Sequence, residues 1–130
     1  RQAVRRFKRN NPASTVVLTG CLPQAFKEDA LSLSEADILL GNGSNHRLIE
    51  AVENFFATGQ RVVDIIPHKR EDKFCTPTLD RFPERTRAYI KIQDGCERFC
   101  TYCIIPYARG FVRSKPLDEI LLEWIRKTAR

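Results

Sequence analysis

Three of the chain's five cysteines, Cys96, Cys100 and Cys103, crowd into the stretch DGCERFCTYCIIPYARG at positions 94 to 110. Thiolates are soft ligands, suited to zinc and to iron–sulfur clusters. Intervals of four and three also place residues on one face of a helix, where free cysteine packs as a small hydrophobe. Asp94 and Gly95 before the trio and Pro106 after it favour a loop instead. A disulfide would join two of the thiols and strand the third. Structural zinc usually takes four ligands, often as paired C-x2-C knuckles. Here there is one C-x2-C, no second pair, and neither His46 nor His68 is near in sequence. A [4Fe–4S] cube normally takes four thiolates. Three leave one iron open, and an open position is what separates catalytic from structural metal centres. Zinc remains the rival reading at this stage.

The elements around the trio must hold it in place. VVLT (Val16 to Thr19), closed by Gly20, reads as a buried strand, as does ILL (Ile38 to Leu40) before Gly41. RVVDII (Arg61 to Ile66) is a third strand, stopped by Pro67. Pro23 stands where a helix begins, with Phe26, Ala30 and Leu33 on one face. Ser44 is the expected cap of a further helix. Its apolar face is Leu48, Ile49, Val52, Phe55 and Phe56, and Gly59 ends it. Strands separated by helices imply a mostly parallel sheet. AYIKI (Ala88 to Ile92) alternates with period two and reads as a strand that delivers the cysteine loop. The end of such a strand is where barrels and open sheets build sites. PLDEILLEWIRKTAR (Pro116 to Arg130) then reads as a helix. Leu117, Ile120, Leu121, Trp124 and Ile125 are its expected buried stripe.

The fold class is therefore α/β. The domain reading is 1–66 as one α/β unit, 67–86 as a linker rich in proline and charge, and 87–130 as a strand–loop–helix unit. His68 and Cys75 in the linker are expected to be exposed and non-ligating. LLGNGSNH (Leu39 to His46) lacks the third glycine of a dinucleotide fingerprint, so a tight turn is expected. With 130 residues, no methionine and Arg1 at its start, the chain reads as an internal piece of a longer protein. The formal charge of +6, with Arg1, Arg5, Arg6, Lys8 and Arg9 together at one end, fits a polyanion such as RNA or a solvated helix face with Val4 and Phe7 inward. No apolar run reaches membrane-spanning length. Five cysteines are too few for a secreted disulfide scaffold, which favours a reduced, cytoplasmic setting.

C-x3-C-x2-C after a strand, with Tyr102 before the last cysteine, resembles the signature of radical S-adenosylmethionine enzymes. The longer stretch KIQDGCERFCTYCIIPYARGFVRSKP is similar to the methylthiotransferases of that superfamily. Ile105, Pro106, Arg109, Gly110, Arg113 and Ser114 fall on the family pattern, and Lys115 departs from its usual arginine. TGCLPQ (Thr19 to Gln24) resembles the family's TGC-x-AQ, with Pro23 for alanine. The resemblance implies a partial Rossmann-like parallel α/β N-terminal domain followed by the first βα unit of a partial TIM-type barrel. It implies that Cys96, Cys100 and Cys103 hold a [4Fe–4S] cluster that binds S-adenosylmethionine, with Tyr102 against the adenine. It further implies that Cys21 is the last of three ligands of an auxiliary [4Fe–4S] cluster, the other two lying upstream of Arg1. Arg109 and Arg113 are candidates for contact with cofactor or RNA. Expected partners are tRNA and an electron donor such as a flavodoxin or ferredoxin. The wording is most similar to the branch acting on threonylcarbamoyladenosine in tRNA. The alternatives are another tRNA adenosine, a ribosomal protein, or a non-enzymatic zinc module that binds RNA.

Overall fold

A computed structural model of the chain describes residues 1–74 and 89–128. Cys75, Ala88 and most of the expected linker lie outside them. Three parallel strands order as β1 (Val17–Gly20), β2 (Ile38–Gly41) and β3 (Val62–Asp64), with β2 central. Ile38, Leu39 and Leu40 are fully buried. A strand covered on both faces needs an unbroken apolar run rather than alternation, and ILL is one. Leu39 packs with Val16, Ala30 and Ala36 on one face, backed by Val4, Leu18, Leu22 and Ile65. Ile38, Leu40 and Ala51 pack on the other, backed by Val17, Val52, Phe55 and Val62.

Short helices connect the strands. The segment after β1 is two helices, α2 (Cys21–Ala25) and α3 (Lys27–Leu31), broken at Phe26. α2 begins at Cys21, so Pro23 lies within its first turn rather than opening it. Phe26 is half exposed, whereas Ala30 and Leu33 are fully buried. A six-residue 3-10 segment, Asn42–Arg47, precedes α4 (Leu48–Thr58), and Gly59 ends α4 at φ +65°. Ser44 does not cap α4. It sits in the middle of the 3-10 segment, fully buried, with its hydroxyl unpaired. Ile49 and Phe56 face outward, because only Ala51, Val52 and Phe55 reach the sheet.

Side-chain hydrogen bonds tie the sheet to its surroundings. The Arg61 guanidinium donates to the carbonyls of Leu31 (3.0 Å), Leu33 (2.8 Å) and Ala36 (3.0 Å), which satisfies acceptors left open where α3 ends. Asp37 accepts from the Val16 N–H (2.7 Å) and from Lys8 Nζ (2.8 Å) on α1 (Gln2–Asn10). Burial works to raise the Asp37 pKa, but those two bonds and the charges of Lys8 and Arg61 outweigh it and hold the group below its usual range. Arg1 pairs with Asp29 and Arg5 with Glu35, so three of the five basic residues near the start are engaged within the fold. Val4 packs on the core, whereas Phe7 is half exposed.

The second half differs most from the sequence expectation. Residues 89–92 are not a strand. The strand is β4 (Gln93–Asp94), paired antiparallel with β5 (Arg113–Ser114). The alternation of AYIKI therefore marks an extended lead-in that has no strand partner among the described residues, although the Lys115 N–H reaches the Ile92 carbonyl at 2.8 Å. α6 (Leu117–Thr128) forms as expected, but its stripe is not buried. Leu117, Leu121, Trp124 and Ile125 are about half exposed or more, and Glu123 is the buried residue. Its carboxylate bridges Lys115 and Lys127, and Lys127 also donates to the Tyr89 carbonyl at 2.8 Å. Lys115, the departure from the family pattern, thus anchors α6 to β5. Among the described residues no helix is long and apolar enough to cross a membrane.

Candidate functional site

The cysteine loop runs from the end of β4 to α5 (Ile105–Arg109). Two glycines close its base. Gly95 has φ +80°, and a Cβ there would lie 2.0 Å from the Phe111 carbonyl oxygen. Gly110 has φ +71°, and a Cβ there would lie 2.4 Å from His68 Cβ. Both needs are met only by a residue without a side chain. Between them the Cys96 N–H donates to the Gly110 carbonyl at 3.0 Å. Further along, the Cys103 N–H donates to the Cys100 carbonyl at 2.9 Å and forms a tight turn. Phe99 adopts φ +47°, a costly conformation for a bulky side chain, with its ring edge-on to Tyr107 at 5.9 Å.

Cys100 is exposed, Cys96 and Cys103 are half-buried, and all three are free thiols. Tyr102 projects from the loop at 91% exposure. Among the described residues no three His, Cys, Asp or Glu side chains stand as a ready metal-holding group. The donor set nonetheless suits an iron–sulfur cluster: three unbonded soft thiols on one irregular loop hinged by Gly95 and Gly110.

Charge gathers at the loop's base. Asp94 accepts from Lys91 Nζ (2.7 Å), Arg109 (3.2 Å) and its neighbour's Gly95 N–H (3.0 Å), with Arg113 at 3.9 Å. Burial alone would raise the Asp94 pKa, but these donors and charges hold it low. Arg109 also reaches the Cys21 sulfur. That hydrogen bond, then the Asp94 charge, keeps the guanidinium's pKa above its ordinary value against the opposing effect of burial. Arg113 donates to the Arg109 carbonyl at 2.8 Å. Both arginines are thus engaged within the site.

The three parallel strands all aim their C-terminal ends here. Cys21 follows Gly20 at the end of β1, and Asn42 follows Gly41 at the end of β2, in register with it. His68 follows a few residues after β3. Asn42 Nδ2 donates to the Ala108 carbonyl (2.6 Å) and to Cys21 Sγ (3.5 Å). His68 Nε2 lies 3.2 Å from the same Ala108 oxygen. A carbonyl can only accept, so Nε2 carries the proton. The expectation that His68 is exposed is therefore corrected: its side chain is 7% exposed and wedged against Gly110. A cavity of about 270 Å³ opens beside this seam, lined among others by Gln24, Lys27, His68, Cys96, Phe99 and Tyr107.

The structure thus brings Cys21, Arg109, Arg113 and the cysteine loop to one place and leaves Tyr102 free in solvent. Sequence reasoning did not assign Asn42, His68 or Lys27 to the site. Asn42 stood in a stretch read as a tight turn, and its place directly after the second strand, matching that of Cys21 after the first, was the available signal.

No protein-family model matches the chain. Individual relatives do. The chain is 36% identical over 121 residues to the threonylcarbamoyladenosine tRNA methylthiotransferase MtaB of Aquifex aeolicus, covering 93% of this chain and 30% of the relative. It is 39% identical over 123 residues to the MtaB of Chlamydia pneumoniae, covering 95% and 26%. It is 38% identical over 129 residues to the ribosomal protein uS12 methylthiotransferase RimO of Desulfosudis oleivorans, covering 93% and 28%. The chain therefore spans less than a third of the length of these curated relatives. Nine-tenths of its own length, from the sheet through the cysteine loop to α6, aligns with them, and over that span the chain belongs to the methylthiotransferase family.

Proposed function

We propose that the chain is part of an enzyme that adds a methylthio group to the adenine ring of N6-threonylcarbamoyladenosine beside the anticodon of tRNA, in the cytoplasm. One observation carries the reading: the Cys96–Cys100–Cys103 loop and Cys21 meet at the C-terminal edge of the sheet, across a seam built by Asn42, His68 and Arg109. A methylthiotransferase needs two sulfur-ligated centres facing one substrate, and the seam supplies their protein side. In this reading Cys96, Cys100 and Cys103 hold one [4Fe–4S] cluster, and Cys21 contributes to an auxiliary one whose other ligands lie upstream. The bound clusters, with S-adenosylmethionine and an electron from a flavodoxin or ferredoxin, supply the radical and sulfur chemistry.

The chain's own residues hold and shield. Gly95 and Gly110 let the loop close without side-chain clash. Arg109 spans Asp94 and Cys21, which fixes the distance between the two halves. In this reading Tyr102, exposed on the loop, lies against the adenine of bound S-adenosylmethionine, and the +6 charge favours an RNA partner. The 87–130 segment serves as the start of the barrel domain, and 67–86 as the link to it. The MtaB relatives favour a tRNA target, while the RimO relatives keep a ribosomal protein as the second reading.

Two measurements test this. Anaerobic reconstitution of the full-length protein should give a brown species with iron and sulfide near eight atoms each, where colourless protein with stoichiometric zinc refutes it. Mass spectrometry of tRNA nucleosides from a deletion strain should show loss of the methylthio form of threonylcarbamoyladenosine. Unchanged nucleosides refute the tRNA target.

A further inference from the structure

Asn42 divides the two hydrogens of one amide between two distant parts of the chain. β1 and β2 pair in parallel with Gly20 opposite Gly41, so the residues that follow, Cys21 and Asn42, leave the sheet side by side. Adjacent strands lie about 4.8 Å apart, a gap that a side chain of asparagine's length spans. Asn42 Nδ2 donates to Cys21 Sγ at 3.5 Å and to the Ala108 carbonyl at 2.6 Å. A carbonyl oxygen only accepts, which fixes the amide with its nitrogen toward the seam. The Arg109 guanidinium reaches the same sulfur from α5. Cys21 is half-buried and free, and the groups on its sulfur are N–H donors. Such donors tune the ligand sulfurs of iron–sulfur clusters, so the position fits the cluster that the reading above gives it. Reduction adds an electron whose charge spreads onto the cluster's sulfurs. A hydrogen bond to a ligand sulfur then strengthens, which favours the reduced form and raises the potential.

We propose that Asn42 is a positioning residue for the centre at Cys21. Its Nδ2–H to Sγ bond raises the reduction potential of that centre. Its second hydrogen holds α5, the helix that follows the cysteine trio, against it. The proposal rests on the reading of Cys21 as a cluster ligand and deepens it. Losing the amide both loosens the seam and lowers the potential, whereas loosening the seam elsewhere leaves the potential alone. His68 provides that comparison. Its Nε2 donates to the same Ala108 carbonyl, and among the described residues no hydrogen bond joins it to Cys21.

The test uses the full-length enzyme, reconstituted anaerobically and titrated with dithionite under electron paramagnetic resonance. S-adenosylmethionine alters the signal of the centre it binds, so the signal it leaves unchanged belongs to the Cys21 centre. Asn42→Ala should shift that centre's reduction equilibrium about tenfold toward the oxidised form, the order of one hydrogen bond to a charged acceptor. For one electron this is a fall of about 59 mV. His68→Phe should keep the wild-type potential. An unchanged potential in Asn42→Ala overturns the proposal. An equal fall in His68→Phe also overturns it, because the effect then belongs to the loosened seam. Wild type labelled with nitrogen-15 at its asparagine side-chain amides gives a second readout. Pulsed resonance should show that nitrogen coupled to the reduced Cys21 centre. This decides the matter where Asn42→Ala fails to assemble: coupling upholds the proposal and its absence overturns it. Wild type that holds about four iron atoms per chain, rather than about eight, has no second cluster. That result refutes the Cys21 reading and this inference with it, whereas full iron with an unmoved potential refutes this inference alone.

Discussion

The Ala108 carbonyl is the point where the two halves of the chain are pinned, and it can be tested by a double-mutant cycle. Ala108 is fully buried, and its oxygen has two side-chain donors, Asn42 Nδ2 at 2.6 Å and His68 Nε2 at 3.2 Å. Asn42→Ala removes one donor. His68→Phe removes the other and keeps a ring against Gly110. Each single variant leaves the carbonyl paired, so each should lose only the net worth of one hydrogen bond, about 0.5–1.5 kcal/mol. The double variant leaves a buried acceptor with neither side-chain donor, which adds a desolvation penalty of about 1–3 kcal/mol. The bond from Asn42 to Cys21 and any packing change at His68 occur in the single variants too, so they drop out of the cycle. The expected coupling is about 1–2 kcal/mol, with the double variant less stable than the sum of the singles. With a urea slope of about 2 kcal/mol/M, the middle of the usual range, the unfolding midpoint should fall by about 0.5–1 M beyond additivity. Effects that add to within about 0.5 kcal/mol would refute the shared-acceptor argument.

Other residues yield shorter tests. Gly95→Ala should cost about 2 kcal/mol or more, since it combines a left-handed φ with a clash against the Phe111 carbonyl, and chemical denaturation reads this directly. Arg61→Lys should destabilise almost as much as Arg61→Ala, because a single ammonium cannot serve the four spread carbonyls that the guanidinium fork reaches. Asp37 is a depressed carboxylate, so the folded state binds fewer protons than the unfolded chain near its ordinary pKa of about 4. Its stabilising effect is present above that pH and is lost as pH falls through the folded value. Asp37→Asn should therefore flatten the acid limb of a stability–pH curve below about pH 4, with little change in its slope near neutrality. If Cys21 ligates an auxiliary cluster as proposed, Arg109→Leu in the reconstituted enzyme should lower that cluster's potential, since a donor and a positive charge are withdrawn from the sulfur. Redox titration followed by electron paramagnetic resonance reads the shift, and an unchanged potential breaks the link between Arg109 and that sulfur.

The sheet was legible because burial on both faces leaves a short apolar run such as ILL, closed by glycine, with few other readings. The loop was legible because Gly95, Pro106 and Gly110 punctuate it. Where the sequence misled, it did so through patterns with more than one physical cause. The alternation of AYIKI fits a strand, but a strand also needs a neighbour, and the pairing edge lies two residues later, where Asp94 faces Arg113. The stripe on α6 fits a buried face, but the described residues cover only the Glu123 side. Ser44 fits a cap, but the backbone tightens into a 3-10 turn there and draws the hydroxyl inward.

The site's partners were hidden for a different reason. A hydrogen bond from Asn42 to Ala108 joins positions 66 residues apart, and no local pattern encodes it. What encodes it is the parallel sheet. Parallel strands in register end together, so the residues that follow them share one edge, and a segment that crosses this edge meets all of them at once. Cys21 and Asn42 each stand one residue past a strand end, and α5 is the segment that crosses. A lone cysteine in a short strand–helix turn is, by sequence, a buried bystander. Because the sheet sets its neighbour in register and brings Arg109 to its sulfur, it becomes one side of a seam whose other side is the cysteine trio.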